Sequence, residues 1–154
     1  MSIKTICAGS LLAALLIVAP AQAETKCEIQ QKQLVKASEG LLYPSESDYP
    51  FTYFSSSGIS SLPTPEEFAA IVGRSGEPAT VANFDTLFQR LENPDPLDPV
   101  AVKNAKQFEK LEKEFRANYD QLAVYRVGEI SVQVYIVGIN ACGLSGLQTI
   151  SIET

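Results

Sequence analysis

The sequence runs to 154 residues, with 12 basic and 18 acidic side chains, a net charge of −6 and no histidine. That length fits one domain able to bury a core without many cross-links. The missing histidine removes the usual general base, the usual neutral zinc ligand and every Ser-His or Cys-His catalytic pair, while the acidic balance opposes direct nucleic-acid binding and favours a basic protein partner.

Residues 1–23 read as a secretion signal. Lys4 supplies the charged start, 11–18 form a short apolar run, and Ala21 and Ala23 place small residues where a signal peptidase needs them. The run is too short to span a bilayer, so the expected mature domain is 24–154, exported to the periplasm or the medium, with no membrane association after cleavage. Loss of Lys4 takes the 12 basic residues to 11 and the net charge to −7. Of the 3 cysteines, Cys7 leaves with the signal. Cys27 and Cys142 remain as an even pair in an oxidising compartment, which predicts a disulfide, with free thiols as the alternative.

In chain order, 27–39 reads as a helix stopped by Gly40, after which Leu41 and Leu42 enter the core. Pro44 and Pro50 bound a polar loop held extended or in turns. Within it Ser45, Ser47 and Asp48 can bond their own backbone, which leaves Glu46 pointing outward from a stiff support. Residues 51–54 are a strand and 55–61 a loop. Thr64, Pro65 and Glu67 form a capping box that opens a helix carrying Phe68, Ile71 and Val72 and ending at Gly73. A short strand at 79–82 precedes a short helix whose buried face is Phe84, Leu87, Phe88 and Leu91.

Beyond the proline-rich break at 93–99, Asp98 caps a helix at 99–118. One stripe carries Ala101, Ala105, Phe108, Leu111, Phe115 and Tyr119, and a solvated face carries interleaved lysines and glutamates. A hairpin follows, 122–127 to 130–139, in which Ile130, Val132, Val134 and Ile136 alternate with Ser131, Gln133, Tyr135 and Val137. Apolar character on both faces predicts a central strand covered from both sides. Residues 140–146 read as a glycine-rich loop, not a phosphate loop, for it lacks the Gly-Lys-Ser/Thr ending. Residues 147–154 are the last strand, with Ile150 and Ile152 facing inward. The expected architecture is α+β, a three-layer α/β/α sandwich on a four-stranded, mostly antiparallel sheet.

The sequence stops at Thr154 directly after that predicted strand, so the hydroxyl, α-carboxylate and neighbouring Glu153 would protrude from a rigid element. Oxygen ligands of this kind suit a hard divalent ion such as Mg²⁺. A frayed end is the plainer alternative.

Several stretches together resemble the nuclease A inhibitor family: 38–43 with 45–51, then 62–66, then 124–128 running into 134–138, and finally 143–149 with Glu153-Thr154. The similarity covers most of 34–154. It implies an α/β/α sandwich that is not an enzyme, needs no cofactor and holds no metal of its own. Its implied partner is a secreted, sugar-non-specific, Mg²⁺-dependent nuclease, and the free protein is expected to be a monomer. A loop glutamate and the final threonine of the family enter the nuclease active site near its Mg²⁺ and an arginine. The matching positions are Glu46 and Thr154, with Ser45, Ser47, Asp48 and Glu153 as support. The cysteine pair reads as an adaptation to export. Two other classes stay open: a binding module of the same fold with another partner, and a carboxylate hydrolase, which needs Glu46 beside a second acid in a cleft.

Overall fold

The computed structural model describes residues 24–154, and the expected leader at 1–23 lies outside the described residues. Among the described residues, four helices and two sheets make an α+β fold. Helix α1 (Lys26–Ser38) opens on a capping box between Thr25 and Glu28, and α2 (Pro65–Ile71) on the expected box between Thr64 and Glu67. Asn83 caps α3 (Phe84–Glu92), and Asp98 caps α4 (Pro99–Asn118) by accepting from the amides of Val100 and Ala101. Each cap answers amides that have no partner within their own helix.

The main sheet has five antiparallel strands, one more than expected, in the order β3-β7-β6-β5-β4. They are β3 (Thr52–Ser56), β4 (Ala79–Ala82), β5 (Gln121–Val127), β6 (Ser131–Asn140) and β7 (Gly143–Ile152). Two short strands, β1 (Leu42–Tyr43) and β2 (Tyr49–Pro50), pair separately and close the Pro44–Pro50 region into a small hairpin. The glycine-rich stretch at 140–146 is not a loop. Asn140 pairs with Gly143 across a two-residue turn, and β7 continues from there. Glycine and serine are poor strand formers, so pairing on both edges, with β3 and with β6, makes this strand.

Alternation along the strands sends two sets of side chains to opposite faces. One set, with Val124, Val132, Val134, Ile136 and Leu147, packs against α1, α3 and α4 through Leu34, Phe88, Phe108, Leu111 and Phe115. The other, with Tyr125, Tyr135, Val137 and Leu144, packs against α2 through Phe68 and Ala69. There the Phe68 and Tyr125 rings stack with centroids 4.1 Å apart.

Four expectations about side chains fail for local reasons. Leu41 is buried but Leu42 points out, because a strand sends successive side chains to opposite faces. Ala101 is only half-buried, one turn into α4. Ile150 and Ile152 are half-buried while Thr149 and Ser151 on the other face are buried. Thr149 donates to the Tyr49 carbonyl of the small hairpin (3.2 Å), and that hairpin covers its face of β7. Ile130 is not in a strand. It sits in the β5–β6 turn, 67% exposed.

A buried polar network, not foreseen from the sequence, ties α1 to the sheet. Gln30 donates to the Tyr119 hydroxyl (2.7 Å) and to Ser145 Oγ (3.2 Å), and Asn140 donates to Gln30 Oε1 (2.6 Å). Burial pushes the Tyr119 hydroxyl up to about 12, so it stays a neutral partner. The disulfide between Cys27 and Cys142 joins the same helix to the β6–β7 turn, as the cysteine count predicted.

The α3–α4 seam carries one strained acid. Glu92 Oε1 is buried without a hydrogen-bond partner among the described residues. Desolvation first, then Glu112 and Glu109 nearby, raise its carboxyl to about 7, against a smaller opposing pull from Arg116. Protonation turns Glu92 into a donor toward Glu112. The folded protein therefore binds this proton more tightly than the unfolded chain, whose carboxyl titrates near 4.5. Stability from this group is full below about pH 4.5 and is lost as pH rises through about 7. Glu92→Gln should gain about 1–2 kcal/mol at pH 8, allowing for partial solvent screening, and almost nothing at pH 4. Urea midpoints at the two pH values test this, and equal gains at both would reject a proton-linked origin.

Candidate functional site

The small hairpin is anchored before it is shaped. Tyr43 is buried, its ring meets Phe51 edge-on at 6.3 Å, and its hydroxyl accepts from Arg90 Nη2 (2.9 Å). At the start of the segment, Gln107 of α4 donates to the Ala37 and Glu39 carbonyls, which fixes the end of α1. From these two anchors the chain runs out to the tip at 45–48.

Inside the tip, the Ser45 amide donates to Asp48 Oδ1 (3.2 Å) and Ser45 Oγ donates to the Ser47 carbonyl (2.6 Å). Ser45 and Asp48 thus brace the loop as their residue types suggest, whereas Ser47 contributes its carbonyl rather than its hydroxyl. The loop also docks on the end of β7. The Glu46 amide donates to the Ile152 carbonyl (3.3 Å), and the Ile152 amide donates to Ser45 Oγ (3.1 Å).

This docking brings Glu46 and Thr154 together across 108 residues of sequence. Glu46 Oε1 accepts from the Thr154 hydroxyl (2.6 Å) and from its amide (3.3 Å), and both residues are exposed. Glu153, expected to protrude, instead turns back. Its Oε1 meets the Arg126 guanidinium and accepts from Ser151 Oγ (2.9 Å), while its amide donates to the Ile130 carbonyl (2.7 Å). The Arg126 hydrogen bond, more than Ser151, holds the Glu153 carboxyl below the usual carboxylate range. Glu153 is therefore a fixed brace for the residue that follows it.

Tyr43, Ser45, Glu46, Arg90, Glu153 and Thr154 line a shallow cleft of about 280 Å³. Sequence reasoning missed Arg90, which lines the cleft, and Arg126, which lies behind Glu153 and holds it. Arg126 sits on an alternating strand like any half-exposed residue, and no local pattern marks its partner 27 residues away. Arg90 lies in the last turn of α3, where a cation reads as a helix-end charge.

Among the described residues no helix is long and apolar enough to cross a membrane, and no three cysteine or acidic side chains converge as metal ligands. A comparison with curated proteins finds no match. A comparison with protein families finds one described as nuclease A inhibitor-like protein, matched over residues 28–154. That span takes in α1 from Glu28 onward, every strand among the described residues and the Glu46–Thr154 contact, so the chain belongs to the nuclease A inhibitor-like family.

Proposed function

We propose that the protein is an exported inhibitor of a sugar-non-specific, Mg²⁺-dependent nuclease, and that Glu46 and Thr154 enter the nuclease active site together. The observation that carries this reading is the 2.6 Å hydrogen bond from the Thr154 hydroxyl to Glu46 Oε1 on an exposed rim. A loop already bonded to the strand end it must act with loses little freedom on binding. The Glu46 carboxylate supplies a negative group shaped to meet an arginine that normally grips a phosphate, and Thr154 supplies a hydroxyl toward the partner's metal or its bound water. The net charge of −6, or −7 once Lys4 leaves with the proposed leader, favours encounter with a cleft built for polyanions.

The disulfide supports passage through an oxidising compartment, and with it the proposed leader at 1–23. A hydrolase reading finds less support. Glu153 is the second acid of the cleft, and Arg126 holds it ionised, which suits a fixed anion rather than a proton donor.

The test is inhibition of several secreted, Mg²⁺-dependent, non-specific nucleases by the protein, with Glu46→Ala and a Thr154 deletion beside it. Each change should weaken inhibition about 30-fold or more, the scale of an interface hot spot, while circular dichroism and melting temperature stay within the error of the unaltered protein. A folded protein that inhibits none of these nucleases would sink the proposal and favour a binding module with another partner.

A further inference from the structure

Ile130 combines two features that rarely occur together at no cost. It is a β-branched residue with φ of +41°, in the left-handed region, and its side chain is 67% exposed. A β-branched residue in this region is strained, and water gains nothing from meeting an isoleucine there. The surrounding turn holds the conformation from two sides. The Gly128 amide donates to the Pro78 carbonyl (2.8 Å), and the Ile130 carbonyl accepts from the Glu153 amide (2.7 Å). Residues held in sparsely populated backbone regions cluster at functional sites.

The turn's location gives the strain a use. Ser131 pairs with Ile152, so Ile130 stands opposite Glu153 at the end of β7, beside Thr154. Successive residues of a strand direct their amides to opposite edges. The Ile152 amide reaches the Ser45 side of the Glu46 loop, and the Glu153 amide reaches Ile130. The end of β7 is thus flanked by an acidic loop on one edge and an exposed isoleucine on the other.

We propose that Ile130 is a third contact of the same interface, an apolar anchor that seats on a nonpolar or aromatic part of the rim around the nuclease's basic cleft. This rests on the inhibitor reading above. Glu46 and Thr154 answer charge and metal, and Ile130 supplies the desolvated apolar contact that polar tips lack. The strained turn fixes the direction in which the side chain is presented, so binding need not order it.

Ile130→Asn and Ile130→Gly separate the contact from the fold, because both residues accept a left-handed backbone. Each variant should melt at the same temperature as the unaltered protein or a few degrees higher, and inhibit about tenfold less strongly. Ile130→Val, which keeps the apolar surface, should stay within about threefold. If Ile130→Asn and Ile130→Gly inhibit as well as the unaltered protein while Glu46→Ala does not, the isoleucine contact is wrong and the inhibitor reading stands. If both variants melt markedly lower, the turn serves the fold and the strain argument fails. If the unaltered protein inhibits no nuclease, both proposals fall together.

Discussion

Replacing Cys27 and Cys142 together by serine should lower the melting temperature by about 10–15 °C. The bond joins residues 115 apart in sequence. In the chain-entropy account, closing so long a loop removes enough freedom from the unfolded chain to stabilise the fold by roughly 4–5 kcal/mol. Domains of this size shift by roughly 3 °C per kcal/mol. The native side offers nothing to compensate the loss, because α1 meets solvent on most of its surface and buries only Gln30, Leu34 and Ser38. What remains to hold it is Leu34 and the partly buried Ala37 against the core, the hydrogen bonds of Gln30 to Tyr119, Ser145 and Asn140, and those from Gln107 to the Ala37 and Glu39 carbonyls. Thermal unfolding of the double variant, and of the unaltered protein with and without reductant, measures the effect. A shift under about 3 °C would mean that these noncovalent contacts fix the helix without the cross-link.

The second large effect is expected at Gly146. A Cβ there would lie 2.0 Å from the Ile136 carbonyl oxygen and 2.8 Å from Val137 Cα, both backbone atoms of the adjoining strand. Backbone of β6 cannot retreat, because it is paired with β5 on its other edge. Nor can β7 move the other way, since Gly146 also pairs with Phe54 of β3. Gly146→Ala should therefore cost about 3 kcal/mol or more, or prevent folding outright. Gly40→Ala is the comparison. Nothing lies within 4 Å of a Cβ at that position, so only its φ of +76° resists, at about 1 kcal/mol. Urea midpoints and soluble yield compare the two. Equal losses would show that close approach between strands is not what Gly146 provides.

The two glycines also show what a sequence can and cannot reveal. Gly40 was legible as a helix stop because the signal is local: periodic residues end and a permissive residue follows. The capping boxes at Thr25 and Thr64 are local in the same sense, although only Thr64 was anticipated. Gly146 belongs to β7, yet its composition with Gly143 and Ser145 reads as a loop, since strand character there comes from neighbours on both edges and not from propensity. All five strands of the main sheet are legible as segments, and only their joining into one sheet is not; the reversed burial of Ile150 and Thr149 is likewise set by neighbours. Periodicity shows that a strand has two faces but not which of them the small hairpin covers.

The candidate site divides along the same line. Glu46 stood out because prolines and self-bonding residues stiffen its loop, and Thr154 because it follows a strand. Their meeting could be expected only through resemblance to a family, since no spacing rule links residues 108 apart. Arg126 lies inside a stretch that carries the resemblance, 124–128, but nothing in that stretch gives it a role, and Arg90 lies outside every such stretch, so the partners of both emerge only from the folded geometry.

The course of β7 has a consequence for how such a protein can change over evolution. One end of this ten-residue strand follows the turn that holds Cys142, and the other leads to Thr154. At about 3.3 Å per residue the two ends lie roughly 30 Å apart. The cross-link that secures the fold and the rim that would meet a partner therefore share a rigid rod but no neighbours. Substitutions so far apart combine almost additively, so the rim can drift toward a new target while the stability reserve at the far end absorbs the damage.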